Sequence, residues 1–448
     1  MPKLSPRFLP SRLRCASLLS LLLASGAAQA ENLVELYQAA RAYDATYLSA
    51  RSLAESATFR AAQADALRLP SASLSGSVTA NEINTVNGNG TDSRNVTLGL
   101  QGRHPLFNRA NAATFEQAQR ALAVSQADLE TAEQDLIVRV AQAYFDVLAA
   151  QDALSAAQAF KAAVAEQLAS AKRNFEVGTA TITDTRESQA RFDLATAREL
   201  VADNDLRTRR TVLDQLVGRN AVAPQGLALP VNLPPVLPAD MDAWVNAADG
   251  LHPSIRRARL AQEVARLESD KARAGALPTV DLVGGLNTTN ASGSATIPNS
   301  TRGTNTSASV GVQLNMPLYT GGAVQNRVKE TVVLEEKARQ DLEAARRGVG
   351  LGTRSAFLGV QSGLGQVKAL EAAEASTRLA LEATQLGYKV GVRVNLDVLN
   401  AQSQLFDTRR DLSKARYDVL VNSLKLRQAS GQLQPQDLRA IDALLAPR

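Results

Sequence analysis

The chain has 448 residues, 45% hydrophobic and 4% aromatic, with 49 Lys+Arg against 44 Asp+Glu. One Trp, seven Tyr and ten Phe are few for large compact cores, so the apolar share rests on Ala, Leu and Val, a composition suited to long helices in thin layers. No run of about 20 apolar residues exists, which excludes a transmembrane helix bundle, and two His and one Cys exclude zinc clusters, His-ligated haem and disulfide scaffolds.

Residues 1–30 read as a secretory signal peptide cleaved after Ala30. Lys3, Arg7, Arg12 and Arg14 form a basic start, Cys15 to Ala24 is apolar, and Ala28-Gln29-Ala30 is a small-x-small cleavage site. Cleavage removes the lone Cys and four basic groups but no acid. The mature chain is then almost neutral, and bulk-charge binding of nucleic acid is excluded.

After the signal, a helical pattern over 33–67 gives way at Pro70 to alternation. Ala72, Leu74, Gly76, Val78 and Ala80 alternate with Ser and Thr, a polar loop covers 81–94, and alternation resumes with Val96, Leu98 and Leu100. This predicts a hairpin over about 71–104 with strands of about ten residues, enough to cross a bilayer when tilted. From about 108 to 176 the chain has no Pro or Gly, and Leu129, Leu136, Val140, Ala143, Val147, Ala150, Leu154 and Ala157 mark a heptad seam about 100 Å long. A helix over 184–217 follows, and the unit closes at Gly218.

The same unit then recurs. Phe175, Val177, Gly178, Asp184, Gln189 and Gly218 match Tyr388, Val390, Gly391, Asp397, Gln402 and Gly431 at one offset of 213 residues. Pro105 matches Pro317 at 212, and Leu69 matches Leu277 at 208, so length differences fall in loops. The chain is therefore a tandem duplication: 31–218, then a Pro-rich linker over 219–240, then 241–431, with a tail over 432–448. The second unit predicts a helix over about 241–274, a hairpin over about 279–316, a long helix over about 323–389 and a helix over 397–429. Gly348, Gly350, Gly352, Gly359, Gly363 and Gly365 weaken that long helix and mark a bend or a site of close packing. Linker and tail are expected to lie outside the helical wall.

The fold class is α+β, a membrane protein with a two-stranded transmembrane hairpin and long coiled-coil helices in each unit. Four strands cannot close on themselves, and an open edge in lipid leaves backbone groups unpaired, so several chains must pool their strands.

Residues 173–184, Arg-Asn-Phe-Glu-Val-Gly-Thr-Ala-Thr-Ile-Thr-Asp, and 387–400, from Gly387-Tyr388-Lys-Val-Gly391 to Asp397-Val-Leu-Asn400, resemble the helix turns of the TolC family of outer membrane exit ducts. The resemblance runs in order through the mature chain. It implies a homotrimer with a twelve-stranded β-barrel in the cell outer membrane and an α-helical barrel in the periplasm. It also implies recruitment by a periplasmic adaptor protein and an inner-membrane pump or ABC exporter, in multidrug efflux or type I protein secretion. No phosphate-binding Gly-x-x-x-x-Gly-Lys-Ser/Thr is present, so the chain supplies no energy.

By the same resemblance, the periplasmic end is a gate. Tyr388 is expected to reach Asp184, and Arg393 to reach Thr183, tying inner coils to outer ones. Asp397 projects into the constriction, where three carboxylates would favour cations and offer a place to a divalent ion. Asn400 stands where the best-known member has a second acidic ring, which halves the ring charge and argues against tight divalent block. Asp184 also reads as the N-cap of helix 184–217, with Glu187 three residues on, while Asn395 competes with Asp397 for that role. Gly178 and Gly391 mark the turns where an adaptor could dock. No cofactor, metal site or catalytic constellation is expected, and His104 and His252, each before a Pro, read as turn residues. A trimeric surface stalk or adhesin is the alternative, but it would gather its strands at the C-terminus.

Overall fold

The computed structural model describes residues 31–84, 90–228, 230–293 and 303–446; the signal peptide lies outside them. In chain order the elements are α1 (Leu33–Tyr43), α2 (Ala45–Ala66), β1 (Ser71–Asn84), β2 (Gly90–Phe107), α3 (Arg109–Glu176) and α4 (Ile182–Val217). The second unit supplies α5 (Met241–Leu251), α6 (Pro253–Ala274), β3 (Thr279–Ser292), β4 (Gly303–Asn315), α7 (Ala323–Lys389) and α8 (Asn395–Ala429), and α9 (Asp437–Asp442) lies in the tail.

The four strands form one antiparallel sheet in the order β1-β2-β3-β4, joined across the two units by β2 and β3. The strands are longer than ten residues. Polar residues continue the ladder past the apolar stretch, pairing Asn81 with Ser93 and Glu82 with Asp92, because backbone pairing does not depend on apolar side chains. Register keeps each face uniform: Leu74 opposes Leu100, Val78 opposes Val96 and Leu282 opposes Val312. That even-numbered face is exposed, at Leu74, Val78, Leu98, Val310, Val312 and Leu314 among others. Ser, Thr, Asn, Gln and Gly dominate the odd-numbered face.

The α3 and α7 helices, 68 and 67 residues long, span about 100 Å each. Along α3 lie α2 and α4, and along α7 lie α6 and α8; α6 and α8 also touch α3, which joins the units. No described helix is long and apolar enough to cross a membrane. The glycines of α7 produce no break: Gly348, Gly352, Gly359 and Gly365 face open space, whereas a Cβ on Gly363 would come within 2.9 Å of Val419 on α8.

Helix 33–67 was expected to be continuous, and so was helix 241–274; both are broken, at equivalent places. Asp44 caps α2 by accepting from the Tyr47 N–H at 2.8 Å, and His252 caps α6 through Nδ1, which accepts from the Ser254 N–H at 3.1 Å. Pro253 occupies the first turn of α6 and cannot continue α5, since it has no N–H to give. Linker and tail pack on the helical wall. Leu433, Leu438, Ile441 and Leu445 join the largest apolar cluster with α1, the middle of α3 and the upper part of α8. The Asp442 carboxylate accepts from the Leu33 and Val34 N–H groups at the start of α1. Tyr144 of α3 exchanges two hydrogen bonds of 2.8 Å with the Gln225 backbone, strapping the linker down.

Candidate pore gate at the two helical turns

Both long helices end in the same backbone motif. Gly178 and Gly391 adopt φ of +79° and +81°, left-handed values that cost a residue with a Cβ. The Thr179 N–H reaches back to the Asn174 carbonyl at 2.8 Å, and the Val392 N–H to that of Gly387 at 2.9 Å.

The next helices start differently. Thr181, not Asp184, is the N-cap of α4. Asp184 is the third helical residue of a capping box: its carboxylate accepts from the Thr181 N–H at 2.9 Å and hydroxyl at 2.8 Å, while its own N–H donates to Thr181 Oγ1 at 3.2 Å. In the second unit Val394 replaces Thr181, and α8 has no side-chain cap. Neither Asn395 nor Asp397 takes that role. Asp397 is left to form an ion pair with Arg393 at 3.6 Å, a weak and solvated pair one turn apart.

The expected cross-coil bonds take other partners. Tyr388 Oη receives a hydrogen bond from Asn174 Nδ2 at 3.4 Å rather than meeting Asp184, whose carboxylate is engaged by Thr181. Arg393 lies against its own turn: a Cβ on Gly387 would come within 2.8 Å of Arg393 Cγ, so glycine there lets the arginine stem fold back. Thr183 is exposed.

The stronger link between the units involves a residue read in the sequence only as a possible cap. Asn395 is buried; its Nδ2 donates to the fully buried Ser188 Oγ of α4 at 2.7 Å, and its Oδ1 accepts from Gln167 Nε2 of α3. Three helices thus meet at one amide whose donor and acceptor are both used. Just above, Asn400 Oδ1 accepts from Arg191 of α4 at 2.8 Å, which assigns Asn400 a contact between coils. A small aromatic cluster follows, with Phe160 and Phe406 edge to face at 5.3 Å around Val164, Ala195 and Leu399. A buried Asn at the foot of an apolar seam is the sequence signal for such a link, but its partners lie about 200 residues away. Among the described residues no group of three His, Cys, Asp or Glu could hold a metal ion.

A sheet with one apolar exposed face, set on about 100 Å of paired helices that end in bonded turns, defines the protomer of an outer membrane channel-tunnel. A model of the outer membrane efflux protein family matches residues 36–219 and 244–432, one match per repeat, and the chain belongs to that family. It is 33% identical to the outer membrane protein TolC of Vibrio cholerae over 99% of this chain and 98% of that one. It is 34% identical to the alkaline protease secretion protein AprF of Pseudomonas aeruginosa over 79% of this chain and 72% of the other. Among solved structures, the CmeC outer membrane channel of Campylobacter jejuni superposes with a TM-score of 0.78 over 99% of this chain and 98% of that one, at 16% identity. The protein is an outer membrane exit duct of the efflux and type I secretion kind, extending into the periplasm.

Proposed function

We propose that three copies assemble into a single passive conduit, a twelve-stranded barrel continued by a tunnel of helices, closed at its periplasmic end by the α7–α8 turns. One observation carries this reading. The sheet has two edges, β1 and β4, and an exposed apolar face, so a single chain would set unpaired backbone groups against lipid. Edge-to-edge union of identical sheets removes that cost, and closed symmetry is the common way for identical chains to do so.

Gating follows from the bonds at the turns. Separating α7 and α8 from α3 and α4 breaks the Gln167–Asn395–Ser188 link, the Arg191–Asn400 bond and the Asn174–Tyr388 bond. The loss is small enough for a periplasmic adaptor at the Gly178 and Gly391 turns to offset, with an inner-membrane pump or ABC exporter supplying cargo and energy. Asp397 of three chains would form a single acidic ring, each carboxylate shared with its own Arg393. The duct performs no catalysis of its own. Purified protein in planar bilayers tests the reading: trimers should conduct poorly until gate bonds are cut, and trimers that pass no ions even then would overturn it.

A further inference from the structure

A charged pair stands on the polar face of the sheet, at the end of the strands next to the long helices. Along the four strands the odd-numbered face is mostly polar and uncharged, with Ser, Thr, Asn, Gln and Gly at most positions. Among the described residues its charged side chains are two, Arg103 of β2 and Asp281 of β3; Glu82, Asp92 and Arg94 fall on even positions toward the far end. Arg103 opposes Val283 and Asp281 opposes Pro105, so the two are diagonal neighbours on one face, next to the start of α3. Arg103 Nη2 donates to Asp281 Oδ2 at 2.6 Å.

The pair is lopsided. The arginine side chain is 60% exposed and the aspartate 4% exposed, and Asp281 Oδ1 is buried with no hydrogen-bond partner. A buried carboxylate with a free lone-pair set costs stability, so a neutral pair would serve the sheet better if packing were its only task. The geometry presents the guanidinium to the water on the polar face and hides its counter-charge behind it.

We infer that Arg103 and Asp281 determine the ion preference of the barrel end of the duct. This rests on the trimeric reading above, in which the polar face lines the lumen. Three guanidiniums at the mouth where tunnel meets barrel favour hydrated anions, while the three buried carboxylates keep the ring from a full triple positive charge. Among the described residues the polar face beyond this pair carries no other charged side chain, so this ring dominates its field, and at the opposite end the Asp397 ring has the opposite sign.

The two substitutions should act in opposite directions, an outcome that a merely structural pair would not give. The test is the reversal potential of reconstituted protein in a KCl gradient near about 0.1 M, where screening extends about 10 Å, with Asp397→Asn as background to remove the gate ring. Arg103→Gln should shift the anion-to-cation permeability ratio toward cations by about twofold or more, and Asp281→Asn should shift it toward anions by a similar factor. Arg103→Lys should stay near the parent. Both shifts should vanish at about 1 M salt, where screening shortens to about 3 Å. Should Arg103→Gln fail to assemble, Asp281→Asn with Arg103 intact decides the matter. Conducting trimers with unchanged or same-direction selectivity would overturn this inference and leave the duct reading standing, whereas a protein that conducts no ions in any variant would overturn both.

Discussion

Arg139 of α3 grips Asp44 with both Nη atoms, at 2.9 and 3.0 Å, while the same carboxylate caps α2 through the Tyr47 N–H. One buried side chain thus ends α1, starts α2 and fixes both against the long helix. The Arg139 guanidinium beside it is the main cause that holds the Asp44 carboxyl below the usual carboxylate range. Asp44→Ala removes cap and pair together and should cost about 2 to 3 kcal/mol, whereas Asp44→Asn, which keeps an acceptor for Tyr47, should cost less. Folding lowers this pKa, so its contribution is complete above about 3.9 and disappears as pH falls through the folded value. Thermal unfolding of the detergent-solubilised protein against pH should show that acid-side loss in the parent and not in Asp44→Ala.

His252, at the matching break of the second unit, should produce a milder acid sensitivity. Burial holds its imidazole below its ordinary pKa, and Nδ1 must stay unprotonated to accept from Ser254. Its stabilising effect is therefore full above about 6.5 and is lost as pH falls through the lower folded value. His252→Asn, an equally good cap, should match the parent at pH near 8 and exceed it near 5. Equal pH dependence in the two proteins would show that His252 does not titrate on unfolding.

Gly431, at φ +72°, closes the second unit against that same break. A Cβ there would fall within 2.5 Å of His252 Cα and 2.8 Å of the Leu251 carbonyl carbon, contacts with backbone that cannot swing aside. Gly431→Ala should lower the melting temperature more than Gly348→Ala, whose Cβ would meet open space and which gains helix propensity.

At the gate, the order of effects separates the structure from the resemblance. Asn395→Ala strands the buried Ser188 hydroxyl and the Gln167 amide, whereas Tyr388→Phe with Arg393→Ser removes one long hydrogen bond and one solvated pair. Closed-state conductance should rise more for Asn395→Ala. The reverse order would return the main restraint to Tyr388 and Arg393.

The two faces of the sheet should tolerate charge unequally. Leu98→Arg, on the apolar face, should cost about 2 to 4 kcal/mol if it sits near the bilayer midplane and should deplete folded protein from the outer membrane. Ser77→Lys, one position from Val78 but on the polar face, should insert normally. Equal depletion by both would contradict the assignment of faces.

Periodicity and repetition made much of this protein readable in advance. A period of two over Ala72 to Ala80, a heptad seam through α3, and matched Gly and Asp residues 213 apart are properties of residues close together or copied in order, and each specifies an element with no knowledge of its neighbours. The breaks at Asp44 and His252 were hidden because helical periodicity resumes after one residue and a single cap leaves a faint local mark. Contacts between units could not be derived from spacing. Whether Tyr388 meets Asp184 or Asn174, whether Asn395 caps a helix or joins three of them, and whether Arg103 finds Asp281 all depend on which atoms arrive within about 3 Å after some 200 residues of chain have packed. Side-chain pattern carries the direction each residue faces; only the packed fold, which fills those faces and uses up each donor and acceptor in turn, determines its partner.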